Sequence, residues 1–168
     1  MTTKKVFVSL GSNLGDKKSN IYSAIDHISQ LAGVKILGKS TLMRTSPIGV
    51  QGQEEYLNQV ILISTDIPPL SLLSEFKKIE QLLGRKKRAK WAEREIDIDI
   101  VVYEGVEMRT SDLNIPHIEL PNRLFLLKGC TELGPDYVVE GHGITMKELY
   151  FNNIDRLKDQ AVYSVLTS

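Results

Sequence analysis

Cysteine and tryptophan are almost missing from this sequence: Cys130 and Trp91 are the single representatives among 168 residues. One cysteine excludes an internal disulfide, and such sparse use fits a reducing compartment. Nothing in the sequence supplies Cys130 with a histidine partner, so it reads as a small buried apolar residue rather than a nucleophile. An excess of charge of either sign is also missing. Lys and Arg number 21, Asp and Glu 21, and the formal net charge is zero. Bulk electrostatics therefore gives no attraction to nucleic acid or to an anionic membrane, and any anion site has to be a local cluster. No apolar run approaches the roughly 18 residues that a membrane helix requires. Met1-Thr2-Thr3-Lys4-Lys5 leads directly into strand-like residues rather than into a signal peptide. A cytoplasmic protein without nucleic-acid or membrane partners is expected.

Standard phosphate cradles are absent as well. Gly11-Ser12-Asn13-Leu14-Gly15 is not followed by Gly-Lys-Ser/Thr, so it is not a Walker loop. It does not match the dinucleotide fingerprint, and the protein-kinase signatures are lacking. Any phosphoryl chemistry in this chain has to rest on arginines, lysines and a metal.

What is present is a clear alternation of elements. Val6–Leu10 reads as a strand, stopped by the glycine-rich turn at 11–15. Ile21, Ala24, Ile25, Ile28, Leu31 and Ala32 follow helical spacing, closed by Gly33. A second strand is expected over Val34–Met43 and a third over Leu57–Thr65, separated by a loop at 46–53. Pro68-Pro69 opens a second helix with Leu72, Leu73, Phe76, Ile79 and Leu83 on one stripe, ended by Gly84. Ile96–Tyr103 is the fourth strand. The order β-α-β-β-α-β is that of a ferredoxin-like α+β fold, with one antiparallel sheet and both helices on one face. Beyond it, Pro121 can start a helix running through Leu133. Thr145 and Glu148 have capping-box spacing for another. No repeat or interdomain linker is visible.

The strongest chemical signal is Ile96-Asp97-Ile98-Asp99-Ile100. Strand side chains alternate, so the isoleucines face the core and both aspartates face the other way. Aspartate is a poor strand former, and two like charges on one face repel. A hard divalent cation with oxygen ligands offsets both penalties, whereas a solvated polar face is the plainer alternative. Directly before this strand, Arg85 to Arg94 carries six basic residues in ten. A basic loop leading into a pair of carboxylates suits a polyphosphate with bound Mg²⁺, because guanidinium groups bind phosphate oxygens bidentately. Trp91 in that loop either stacks on a ring or packs. Asn58 is an unusual polar residue near the start of a strand, and its amide suits the edge of a heterocycle. Pro116 next to His117 implies a fixed turn that aims the imidazole, and Phe125 is core by default.

Taken together, Gly11–Gly15, Arg44-Thr45-Ser46-Pro47, Tyr56-Leu57-Asn58, Ile79-Glu80 with Leu83-Gly84-Arg85, Asp97-Ile98-Asp99-Ile100, Pro116-His117 and Asn122-Arg123-Leu124-Phe125 resemble the hydroxymethyl-dihydropterin pyrophosphokinase family. The blocks stand in that family's order across about residues 5 to 140. The resemblance implies one pyrophosphokinase domain over residues 1–168, acting as a monomer. It would transfer the β,γ-diphosphate of ATP to 6-hydroxymethyl-7,8-dihydropterin in folate biosynthesis, leaving AMP. It implies Asp97 and Asp99 as ligands of two Mg²⁺ ions, and these two with Arg85 and Arg94 as the catalytic set. Thr45, Ile48, Tyr56, Asn58, Trp91 and Phe125 correspond to positions around the pterin. Glu80, Arg85, Arg94, Ile100, His117 and Arg123 correspond to the ATP side. The chain departs from the family pattern where Trp91-Ala92-Glu93-Arg94 replaces the usual Trp-Gly-Pro-Arg. Asp112 and Ile118 stand where polar or basic nucleotide contacts are common, and neither is carried over.

The rival from another class is a ferredoxin-like RNA- or ligand-binding module without catalysis. An RNA-binding sheet of this order displays aromatics in a Lys/Arg-Gly-Phe/Tyr signature, which this chain lacks. If Arg94 grips the transferring group only near the transition state, Arg94→Ala lowers kcat by about 10²–10³ with ATP affinity nearly unchanged. Arg94→Lys should recover only part of the rate, because the planar fork is gone. Steady-state kinetics decide, and a wild-type kcat in Arg94→Ala removes it from the catalytic set.

Overall fold

The alternation of apolar and polar residues produces a sheet whose two faces differ. The structure, a computed structural model, describes residues 2–46, 55–84 and 95–165. Its elements run β1 (Lys4–Ser12), α1 (Lys17–Ser29), β2 (Val34–Lys39), β3 (Met43–Thr45), β4 (Tyr56–Thr65), α2 (Pro69–Leu82) and β5 (Asp97–Tyr103). They continue with β6 (Met108–Arg109), β7 (Asn114–Ile115), a 3-10 turn at Leu120–Asn122, α3 (Leu124–Leu133), α4 (Met146–Leu157) and β8 (Val162–Ser164). The main sheet is six-stranded in the order β5-β1-β4-β3-β8, with β2 also on β4. Every pairing in it is antiparallel.

Local chemistry marks the helix ends. The Asp16 carboxylate accepts from Ser19 N at 3.1 Å and caps α1, satisfying one of the donors a helix start leaves unpaired. Pro69 opens α2, where its missing N–H is no loss. Thr145 and Glu148 form the capping box that their spacing predicts.

Burial divides the molecule into two cores. One lies between the sheet and α1 with α2, and holds Val8, Leu10, Ile21, Ile28, Ile61, Phe76, Ile98 and Ile100. The two helices thus share one face, as expected. The other core holds Phe7, Val60, Val101, Leu127, Cys130 and Leu149, and is covered by α3 and α4. The fold is an antiparallel sheet with helices on both faces. Cys130 is buried there and burial pushes its thiol well above the usual range, which agrees with a packing role.

One expected strand divides. Val34–Met43 forms β2 and β3, both paired with β4. A register shift falls between Ile36 and Gly38. Next to it, Ser40 turns its hydroxyl onto Val60 N at 2.9 Å, and its carbonyl accepts from Gln59 Nε2 at 2.7 Å. Ser40 N still donates to Val60 O at 2.8 Å, so side-chain bonds join a backbone bond at the break, as serine side chains often do beside backbone pairing.

Helix α3 approaches the sheet through Gly129, where an added β-carbon would collide with the Val60 side chain. Gly129→Ala is therefore expected to destabilise the chain by about 1–3 kcal/mol through overpacking, despite alanine's better helix propensity. Urea denaturation measures this, and a stabilised variant would contradict the close approach of α3.

Candidate active site

The site begins with the edge strand β5. Its register on β1 sets Asp97 opposite Gly11, Ile98 opposite Leu10 and Asp99 opposite Ser9. Ile96, Ile98 and Ile100 are buried in the α1–α2 core, so Asp97 and Asp99 lie on the opposite face, Asp97 half-buried and Asp99 exposed. This is the division that alternation predicts.

Two polar side chains hold the start of that strand. Glu80, on α2 and only 5% exposed, accepts a hydrogen bond from Ile98 N at 2.8 Å. It thereby occupies the backbone donor between the two aspartates. Bonds of this kind to a charged group are worth about 1.5–3 kcal/mol. Asn20, on α1, donates from Nδ2 to Leu14 O at 3.0 Å and to Glu95 O at 3.1 Å. It thus joins the turn after β1 to the residue group that leads into β5. Sequence reasoning missed Asn20, because its partners are the Ser12 hydroxyl and two backbone carbonyls, one of them 75 residues away.

The same sheet face carries a second group. Gly11 faces Asn58 across β4, and Thr45 faces Tyr56 across β3. Asn58, 4% exposed, donates from Nδ2 to Thr45 Oγ1 at 2.6 Å. A β-carbon at Gly11 would stand 2.8 Å from Asn58 Oδ1 and 3.7 Å from Tyr56 Cδ1. Glycine there is the floor on which the amide lies. Neighbouring strands are about 4.8 Å apart, so Asp97, Gly11 and Asn58 form one row within two strand spacings. Phe125, half-buried at the start of α3, reaches the same region: it lines a cavity of about 290 Å³ with Thr45 and Ser46.

A third group lies beside β5. His117 follows the cis Ile115–Pro116 bond and donates its backbone N–H to Val101 O at 2.7 Å. Its Nδ1 accepts from Glu119 N at 3.1 Å, which leaves the ring proton on Nε2. Burial first of all lowers its pKa, Arg123 lowers it further, and Glu119 acts the other way. Arg123 pairs with Glu119 at 3.4 Å and precedes α3. The other expected positions separate. The side chain of Ile100 is in the core, away from the face that carries the two aspartates. Ile48, Arg85, Trp91 and Arg94, with Lys87 and Arg88, lie outside the described residues.

Among the described residues no three His, Cys, Asp or Glu side chains gather as a ready-made metal cage. The donor set is the hard-oxygen pair Asp97 and Asp99. That set fits Mg²⁺, which is commonly held by one or two carboxylates and completes its shell with phosphate oxygens and water.

One sheet face thus carries a pair of carboxylates on β5, the Asn58–Thr45 hydrogen bond, and a small cavity next to Thr45 and Phe125. Comparison with known proteins identifies the family. The family model for 7,8-dihydro-6-hydroxymethylpterin-pyrophosphokinase matches residues 7–135. The 2-amino-4-hydroxy-6-hydroxymethyldihydropteridine pyrophosphokinase of Methylorubrum extorquens is 34% identical over 140 residues, covering 83% of this chain and 89% of that protein. Its namesake in Aquifex aeolicus is 37% identical over 144 residues, 86% of this chain and 87% of that one. In structure, the HPPK-DHPS protein of Plasmodium falciparum, a triple mutant, superposes with a TM-score of 0.74 at 16% identity. That match covers 94% of this chain and 44% of the longer Plasmodium protein, and it supports the fold. The chain belongs to the 7,8-dihydro-6-hydroxymethylpterin-pyrophosphokinase family.

The imidazole of His117 gives a pH test. Its folded pKa lies below 6.5, so on acidification the unfolded chain takes up the proton first. Its contribution to stability is complete above about pH 6.5 and declines as pH falls toward the lowered folded value. Urea denaturation at pH 7.5, 6.5 and 5.5 should show a shallower decline in His117→Gln than in the wild type. Parallel curves would contradict a buried neutral ring.

Proposed function

We propose that the Asp97–Asp99 edge holds ATP with two Mg²⁺ ions, and that the hollow bounded by Thr45, Tyr56, Asn58 and Phe125 holds the pterin. The activity is that of the family: pyrophosphate passes from ATP to 6-hydroxymethyl-7,8-dihydropterin, in the synthesis of folate. The chain is thus an ATP-dependent diphosphotransferase. The observation that carries the residue assignment is the single row Asp97–Gly11–Asn58 on one sheet face. It supports the reading because a carboxylate and an amide stand two strand spacings apart on one face.

Each residue then has a physical role. Mg²⁺ on the two carboxylates would reduce the charge of the triphosphate and favour attack on it. Tyr56 and Phe125 are suited to stack on the faces of a flat ring, at about 1–3 kcal/mol for each ring–aromatic contact. Asn58 and Thr45, already hydrogen-bonded to each other, offer a carbonyl oxygen and a hydroxyl to its edge. Ile48 and Trp91 belong to the same side by resemblance. His117, neutral with a proton on Nε2, can donate to the nucleotide without adding charge, and Arg123 supplies the cation nearby. Arg85 and Arg94 are assigned to charge on the transferring group and on AMP. The hydroxymethyl oxygen attacks the β-phosphorus, and the bond to the α-phosphate oxygen breaks to leave AMP. Glu80, occupied by Ile98 N, supports the aspartate strand from behind.

The strand order, with β2 and β3 counted as one, supports a ferredoxin-like description of the sheet. No helix among the described residues is long and apolar enough to cross a membrane. An RNA-binding module would present aromatics on the central strands, whereas β1 offers Ser9 and Gly11 there.

Incubation with ATP, Mg²⁺ and the dihydropterin should release AMP, and ADP as product would overturn the assignment. The Asp97→Asn/Asp99→Asn double variant should lose nearly all turnover. It should also lose most of the rise in melting temperature that a non-hydrolysable ATP analogue with Mg²⁺ gives the wild type. An active double variant would end the metal assignment.

A further inference from the structure

The family match ends at residue 135, yet the cavity beside Thr45 and Phe125 is closed by later residues: Asp159, Gln160, Ala161 and Val162 line it. They stand there because residues 160–165 are fastened at two places. On one side β8 pairs with β3, setting Val162 opposite Thr45 and Tyr163 opposite Arg44. The Arg44 guanidinium lies 5.3 Å from the centre of the Tyr163 ring, and Val165 N donates to Leu42 O at 2.8 Å. On the other side Gln160 grips the start of α3. Its Oε1 accepts from Leu124 N at 2.9 Å, and its Nε2 donates to Asn122 O at 2.7 Å. Arg123, the residue before α3, offers no side-chain cap. Gln160 therefore satisfies a helix-start donor that the local sequence leaves open.

Phe125 is one residue beyond Leu124, in the first turn of α3. Whatever fixes Leu124 N and Asn122 O fixes the direction in which that ring enters the cavity. We propose that residues 159–162 form the outer wall of the pterin pocket, and that Gln160 is a positioning residue that holds Phe125 against the ring. The proposal rests on the assignment of Thr45 and Phe125 to the pterin. Two further features favour it. A cavity of about 290 Å³ is at the small end of ligand sites and suits a compact two-ring heterocycle rather than a nucleotide. Ala161 keeps the wall thin where a larger side chain would enter that space.

Full-length Gln160→Ala, Gln160→Glu and Ala161→Leu variants test this by steady-state kinetics and melting temperature. Gln160→Ala loses both bonds and is expected to raise the pterin KM about tenfold, with kcat and the ATP KM within twofold. Gln160→Glu keeps the acceptor for Leu124 N and should fall between it and the wild type. Ala161→Leu should raise the pterin KM by a similar factor while melting normally, which keeps the test open if Gln160→Ala folds poorly. An unchanged pterin KM in both Gln160→Ala and Ala161→Leu overturns the proposal. So does an equal rise in the KM of both substrates, which would make the segment merely structural. Phe125→Ala separates the two levels. If it leaves the pterin KM unchanged, the pocket assignment falls and this proposal with it. If it raises the KM while the Gln160 and Ala161 variants do not, only the role of the C-terminal wall falls.

Discussion

The register of β5 on β1 is the constraint on which the rest of the site depends. Side chains on a strand alternate with a period of two, so a slip of one residue would turn Asp97 and Asp99 into the α1–α2 core and expose Ile96, Ile98 and Ile100. Burial of each isoleucine is worth about 1.5–3 kcal/mol, and burial of two unpaired carboxylates would be prohibitive. The hydrophobic effect thus presents the aspartates without any interaction of their own being required. The register is then held by specific polar contacts. Glu80 occupies Ile98 N, Asn20 ties Glu95 O to the turn after β1, and a register shift between Phe7 and Val8 adjusts the pairing further along. β5 is an edge strand, and edge strands need such contacts because one side of their ladder is open.

Much of this was legible from residue patterns, and the reason is that the patterns are local. The Ile-Asp alternation foretold both faces of β5. Helical spacing foretold α1 and α2, although α1 ends at Ser29, ahead of the expected stop at Gly33, and the Thr145–Glu148 spacing foretold the cap of α4. What escaped was set by contacts distant in sequence. β8 is three residues long and largely exposed, and its pairing with β3 has no signature within residues 162–164. Asn20 and Gln160 look like ordinary surface amides until their partners 75 and 38 residues away are known. The break between β2 and β3 follows a register shift at Ile36–Gly38 and contains no proline, so apolar spacing alone ran through it. The site residues supplied by resemblance divide in the same way: Thr45, Tyr56, Asn58 and Phe125 converge, while the Ile100 side chain faces the core.

Gly11–Gly15 shows how a motif's composition can suggest one role and its burial another. A glycine-rich turn after a first strand invites comparison with phosphate-cradling loops, which bind through exposed backbone N–H groups. Here Ser12 and Asn13 are fully buried. Gly11 is required by the Asn58 amide that lies 2.8 Å from where its β-carbon would be. β1 runs through Gly11 and Ser12, so the first part of the motif is strand, and Gly11 there makes room for the Asn58 amide. Under the proposed assignment, phosphate recognition falls to the aspartate edge and to the basic residues of 85–94. That assignment makes a Walker loop unnecessary: negative charge would be met by a cation on two carboxylates and by arginines, leaving the first glycine-rich segment free to be packed tightly. Packing in turn fixes Asn58, since an amide wedged between a glycine and the Thr45 hydroxyl has little freedom to rotate. An edge-reading group held in place before the ligand arrives loses less entropy on binding than a mobile one.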